Sequence, residues 1–251
     1  MVEPFSSSFV VFISGMGCDQ SALPRLALVT DSLFLVPELN INERDRKGRT
    51  VLQAACMNEG GLDRILASPD GKPRTQTLFE RLVALGADLS AFDSDGRNVL
   101  HFLMKANKEI TYEESQTRSE PAGCTESFAY ILKTVPELLM QKDRYGNTPL
   151  HYGILSSDSH KTLDFIEAMI KAGASVQATT AQGNTILHLH APMLKVAEHR
   201  VLFERLVGMG VDINQCNEDG RTPAFEFVKT TRDVDRRKEY SVNLATTRGP
   251  T

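Results

Sequence analysis

Apolar positions along this chain fall in short stripes at helical spacing, separated by polar turns of one recurring form. Leu52, Leu100, Leu150 and Leu187 each open such a stripe seven residues after the Asp or Thr that begins a turn. A second stripe follows in each unit and runs to a glycine, at Gly86, Gly173 and Gly210. It recurs nearly verbatim as Leu78-Phe-Glu-Arg-Leu-Val83 and Leu202-Phe-Glu-Arg-Leu-Val207. Spacing of three and four predicts helices, and the glycines sit at the C′ position, where a left-handed residue ends a helix. The predicted unit is a turn, a short helix, an antiparallel helix and a hairpin loop.

The turns align five times: Asp45-Arg-Lys-Gly48-Arg-Thr50, Asp93-Ser-Asp-Gly96-Arg-Asn98, Asp143-Arg-Tyr-Gly146-Asn-Thr148, Thr180-Ala-Gln-Gly183-Asn-Thr185 and Asn217-Glu-Asp-Gly220-Arg-Thr222. In an Asp-x-x-Gly turn the carboxylate accepts nearby backbone N–H groups and the glycine supplies a positive φ. Thr-Pro then reads as helix entry, with the hydroxyl as N-cap and proline at a position that needs no amide donor. A second signature precedes three of the turns: Leu85-Gly-Ala-Asp-Leu89, Ala172-Gly-Ala-Ser-Val176 and Met209-Gly-Val-Asp-Ile213, each with its glycine ten residues before the turn glycine.

Thr148-Pro149-Leu150-His151 with Asp143 and Gly146, together with the Leu-Gly-Ala-Asp segments, resembles the ankyrin repeat. The resemblance runs from about residue 20 to 230 and implies an all-α helix-turn-helix repeat solenoid with short hairpin loops. It departs from the family in period. Family repeats are about 33 residues long, whereas the turn glycines here stand 48, 50, 37 and 37 residues apart. The two long intervals hold insertions near 59–77 and 108–125, both between the first and second helix of a repeat, and they are expected to project as loops. Residues 1–20 read as a flexible extension and 21–44 as a degenerate capping repeat, since Val36-Pro-Glu-Leu39 echoes Val135-Pro-Glu-Leu138. Repeats occupy 45–230, with turns starting near 45, 93, 143, 180 and 217. Residues 231–251 form a polar tail without an apolar stripe, so either the last helix frays or the sequence continues elsewhere. The family's histidine after the first-helix leucine ties neighbouring turns through backbone hydrogen bonds, a role that falls here on His101, His151 and His188.

Composition narrows the function classes. Hydrophobic residues make up 41% and charged residues 24%, which excludes wholesale disorder. A net charge of −4, from 28 basic and 32 acidic residues, gives no global case for nucleic acid or membrane as partner. Cys18, Cys56, Cys124 and Cys216 lie 38, 68 and 92 residues apart, without metal-knuckle or redox-pair spacing, and read as reduced thiols. The apolar run Phe9–Ile13 is too short for a membrane span and lacks a basic flank. The expected setting is the cytoplasm or nucleus, although Arg236-Arg-Lys238 between Asp235 and Glu239 is a weak import signal.

Chemistry-bearing patterns thin out on inspection. Ser14-Gly-Met-Gly17 lacks the third glycine and the Gly-Lys-Ser ending of phosphate loops. His188 and His190 are two apart on a helix and diverge by about 200°, which disfavours a shared metal ion. No nucleophile comes with a base and an orienting acid, and Glu113-Glu114 sits in a polar insertion. The expectation is no catalysis, no cofactor and no metal.

What remains is the face built by the turn tips, Arg46, Lys47, Ser94, Asp95, Arg144, Tyr145, Ala181, Gln182, Glu218 and Asp219, with Arg49, Arg97, Asn147, Asn184 and Arg221 after the glycines. Charge along it runs from basic to acidic, and Arg144 and Tyr145, types enriched in binding hot spots, stand at its middle. The expected function is non-catalytic binding of another protein through the concave face, as a monomer and without nucleic acid or membrane. An alternative is the recognition region of a larger enzyme or adaptor whose other domain lies outside this chain.

Overall fold

The computed structural model describes residues 40–57, 61–63, 77–106, 126–155, 160–194 and 197–230. The extension 1–20, most of the capping segment, the insertion 108–125, the tail, the Ser14–Gly17 motif and the Arg236–Lys238 run lie outside the described residues. The described part is helical, with no β-strand. Its elements are α1 (Val51–Ala55), α2 (Leu78–Ala84), α3 (Val99–Ala106), α4 (Glu126–Thr134), α5 (Pro149–Leu155), α6 (His160–Lys171), α7 (Ile186–His190), α8 (Ala197–Gly208) and α9 (residues 223–230). First helices pack in series, α1 on α3, α3 on α5 and α5 on α7, while α6 and α8 lie against the first helix of their own repeat.

The core follows from the stripes. Leu52, Leu100, Leu150 and Leu187 are all buried, as are Phe79 and Leu82, Phe128 and Ile131, Ile166 and Met169, and Leu202 and Leu206 from the second helices. Each contributes about 1.5–3 kcal/mol by leaving water. Phe128 meets Phe165 edge to face at 4.7 Å, which joins α4 to α6. In the second repeat a 3₁₀ turn, Pro136–Met140, replaces the Leu-Gly-Ala-Asp loop and buries Leu138 and Leu139.

The first insertion departs from expectation where it is described. Gly61–Asp63 forms a 3₁₀ turn whose Leu62 is buried in the core, rather than a loop projecting from it. The Asp63 carboxylate accepts from the Ser127 hydroxyl at 2.9 Å and from its backbone amide at 3.2 Å, so the segment is bonded to the first turn of α4 in the next repeat.

Two joins between neighbouring repeats recur along the stack. The amides of Ser94, Arg144, Ala181 and Glu218 donate to the carbonyls of Lys47, Asp95, Tyr145 and Gln182 in the preceding turn, at 2.8–3.0 Å. The second join is made by the third residue of the first helix in three of the repeats. Gln53 accepts from the Thr50 amide and donates onward to the Ala91 and Arg97 carbonyls. His188 Nδ1 accepts from the Thr185 amide and hydroxyl, so its proton sits on Nε2, which donates to the Arg221 carbonyl at 2.8 Å. His101 Nε2 likewise lies 3.0 Å from the Asn147 carbonyl. His151 caps its own helix through Thr148, but its Nε2 makes no hydrogen bond. The family tie is thus formed at two of the three histidines.

Two predictions follow from these joins. A Cβ on Gly146 would run into the Ala181 amide and stand 2.8 Å from the Thr180 carbonyl carbon, at φ +78°, whereas at Gly220 (φ +70°) it meets nothing. Gly146→Ala is therefore expected to cost more than the roughly 1–3 kcal/mol of left-handed strain that Gly220→Ala incurs alone; urea unfolding of both variants measures the difference. Burial pushes the pKa of His101 and of His151 down to about 4, against the smaller opposite pull of facing carbonyls. Below about pH 6.5 the unfolded chain takes up protons that these rings refuse until about pH 4. Stability should fall across that window as pH drops, by up to about 1.4 kcal/mol per pH unit for each ring, and these groups should leave it flat above. Urea midpoints between pH 7 and 5 test this, with a shallower slope expected for His101→Gln, a residue the first repeat already uses at this position.

Candidate functional site

The site expected from sequence is the row of turn tips, and the inter-turn bonds set its geometry. Within each turn the opening side chain accepts two amides, so that Asp45 Oδ1 takes those of Lys47 and Arg49 and Asp93 Oδ1 those of Asp95 and Arg97. Asp143 takes those of Tyr145 and Asn147, Thr180 those of Gln182 and Asn184, and Asn217 those of Asp219 and Arg221. The two residues between opener and glycine are left to point outward.

The structure separates the predicted residues into two groups. Arg46, Lys47, Ser94, Arg144, Tyr145, Ala181, Gln182, Glu218 and Asp219 are exposed at the tips, and Asp95 is half-buried among them. The residues after the glycines turn inward. Arg49 lays its Nε and Nη2 on Asp45 Oδ2 at 2.8 and 2.6 Å, and Arg97 does the same to Asp93 Oδ2 at 2.9 and 2.6 Å. Asn147 bonds Asp143, Asn184 receives the Asn217 amide, and Arg221 lies 3.0 Å from Asp219 and 3.5 Å from Glu226. Their side chains hold turns together instead of adding to the outer face.

Electrostatics follow this division. Burial works to raise the Asp45 carboxyl, but the Arg49 fork and the two backbone amides outweigh it and hold it below the ordinary range. At Arg97 burial likewise opposes the charge, and Asp93 more than restores it. At the surface Arg144 donates to Asp95 at 3.0 Å, which lowers the Asp95 carboxyl and raises the Arg144 guanidinium. The expected basic-to-acidic run therefore rests on fewer charges: Arg46 and Lys47 at one end, the Asp95–Arg144 pair in the middle, Glu218 and Asp219 at the other. Arg144 also lies over the Tyr145 ring at 5.3 Å, and both side chains remain at least half exposed.

Sequence reasoning missed the polar layer beneath the tips. The Tyr152 hydroxyl donates to Asp143 Oδ2 at 2.9 Å, and its ring meets His101 edge to face at 5.2 Å. The position after the TPLH histidine was the available signal. His190 was weighed only beside His188; its Nε2 donates to the His199 carbonyl at 2.9 Å, and its ring meets the His199 ring edge-on at 5.3 Å. His188 and His190 are thus engaged with different partners.

The ankyrin repeat family model matches residues 145–181, from the tip of the third turn to the tip of the fourth. A stretch of 144 residues, 57% of this chain, is 31% identical to Transient receptor potential cation channel subfamily A member 1 of Drosophila melanogaster. The stretch covers 10% of that protein. No helix among the described residues is long and apolar enough to cross a membrane.

Removing an inward residue and an outward one should have different consequences. Arg97→Ala leaves the buried Asp93 carboxylate without its fork and is expected to destabilise by about 1–3 kcal/mol. Arg144→Ala, at the exposed tip, is expected to leave the unfolding midpoint where it is. Parallel denaturant curves decide, and equal losses would put Arg144 in the structural group.

Proposed function

We propose that this chain, whose residues 145–181 match the ankyrin repeat, binds another protein through its row of turn tips and performs no catalysis there. Ankyrin repeats are protein-interaction modules, and the observation that carries the reading here is the Arg144–Tyr145 pair. It sits at the centre of five tips whose spacing is fixed by backbone bonds. A surface already ordered before binding loses little entropy on association. Exposed Arg and Tyr side chains are the types that supply interface anchors.

The tip charges favour an extended segment with acidic residues opposite Arg46 and Lys47 and basic residues opposite Glu218 and Asp219. The chain acts as a monomer, needs no cofactor, and engages neither nucleic acid nor membrane. The unpaired thiols of Cys56 and Cys216 suit a reducing compartment, cytoplasm or nucleus. A second reading, that these repeats are the recognition part of a larger protein, draws on the relative, of which the matching stretch is a tenth.

Affinity capture with the full chain, beside an Arg144→Glu/Tyr145→Ala variant of equal thermal stability, tests the proposal. The partner should be retained by the parent and bound at least tenfold more weakly by the variant. Equal retention by both would remove the tips as the binding face.

A further inference from the structure

Given the tips as a protein-binding face, on which this rests, we infer that the partner segment lying along them carries one bulky apolar side chain. That side chain enters a notch between the first helices of the third and fourth repeats, walled by Tyr152, Leu155, Leu189 and Pro192.

The side chain at the fourth position of a first helix stands beside its own turn. Phe102 lies under Arg97 at 5.2 Å, the Tyr152 hydroxyl donates to Asp143 at 2.9 Å, and Glu226 lies 3.5 Å from Arg221. In the fourth repeat this position is Leu189. The residue after its turn glycine is Asn184, which is engaged by Asn217 and is too short to cover a leucine. Leu189 is half-buried, whereas Phe102 under its arginine is 3% exposed. Replacing an arginine-forked turn by a neutral one thus uncovers an apolar side chain on the binding face.

The seventh position lies one turn farther along the same face. There Leu155 is 37% exposed, and Pro192, in the 3₁₀ turn that follows α7, is half-buried. Because α5 packs on α7, the four apolar side chains form a two-by-two set on adjacent elements. The Tyr152 ring is a fixed wall of that set, held by Asp143 and by its edge-to-face contact with His101. An apolar side chain seated here leaves water without displacing any polar bond.

Charges close the set on both sides. The seventh position is the exposed Lys105 in the second repeat and the exposed Lys229 in the fifth, where the fourth position is Glu226. An apolar anchor moved by one repeat in either direction would desolvate one of these charges, so the notch sets register as well as affinity. Packed helices lie about 8–10 Å apart and an extended chain advances about 3.3 Å per residue, which allots about three segment residues to each repeat. The anchor then falls about seven residues from the acidic residues over Arg46 and Lys47, and about four from the basic residues over Glu218 and Asp219.

Labelled Gly/Ser-based peptides with a Glu pair at one end and a Lys pair at the other test this, made in both chain directions. One carries Leu at the seventh residue from the Glu pair, a second carries Ser there, and a third has the Leu moved three residues toward the Glu pair. Fluorescence anisotropy with the full chain should show, in one direction, the first binding at least tenfold more tightly than the other two. Leu155→Glu, with a urea midpoint matching the parent's, should bring the first peptide down to the affinity of the Ser peptide. Arg46→Glu/Lys47→Glu should weaken all three alike. Equal binding of the Leu and Ser peptides, equal binding of the shifted peptide, or a Leu preference that survives Leu155→Glu overturns the notch and leaves the tips as the binding face. A parent chain that binds none of the peptides removes the charge reading of the tips and the notch together.

Discussion

Each described turn after the first gives one backbone amide to the turn before it, and the rest of the described structure is arranged around that bond. Four such bonds bring backbone against backbone, which leaves no room for a side chain at Gly146. They also bury the openers of the turns. A carboxylate in that position satisfies two amides but carries a charge that burial penalises. The first two turns answer with an Arg fork, Asp45–Arg49 and Asp93–Arg97. The third uses Asn147 and the Tyr152 hydroxyl on Asp143. The fourth avoids the charge with Thr180, and its post-glycine residue is the neutral Asn184. In the fifth the opener is the neutral Asn217, and Arg221 turns instead to Asp219 and Glu226.

The same constraint explains what was legible in sequence. Turn, N-cap and terminal glycine are local devices, and each leaves its chemistry within six residues, so the five turns, the leucine positions and the helix order could be read directly. Direction was harder. Arg97 and Arg144 are both arginines in turns with the same motif, one after the glycine and one before it. Only the bond from the Asp opener to the amide four residues on decides which points inward. That bond is shared with the neighbouring repeat's geometry, and composition does not carry it. Leu62 and Asp63 were hidden for another reason: they lie at the start of an insertion with no counterpart in the other repeats, so their contact with Ser127 had no repeating pattern to expose it.

Histidine at the third helical position shows how one residue type can serve both scales. Its Nδ1 closes the cap of its own helix and its Nε2 addresses the next repeat, so the tautomer that makes the cap also makes the join. Gln53 performs both tasks with an amide, accepting through oxygen and donating through nitrogen. His151 performs only the first. Burial within the stack holds the pKa of His101 and of His151 down, so both rings stay in the neutral form whose Nδ1 can accept.

Periodicity also sets off a position that departs from it. Phe225 cannot make the polar join that Gln53, His101 and His188 make, and nothing in its local sequence marks it as unusual, since a Phe in an amphipathic helix is an ordinary core residue. Its exposure becomes informative only beside four buried equivalents. Tip side chains are outward in every repeat because the turn requires it, so they are available to a partner without disturbing the fold. The positions of Ala224, Phe225 and Val228 are buried in the four earlier repeats and exposed in the last described helix.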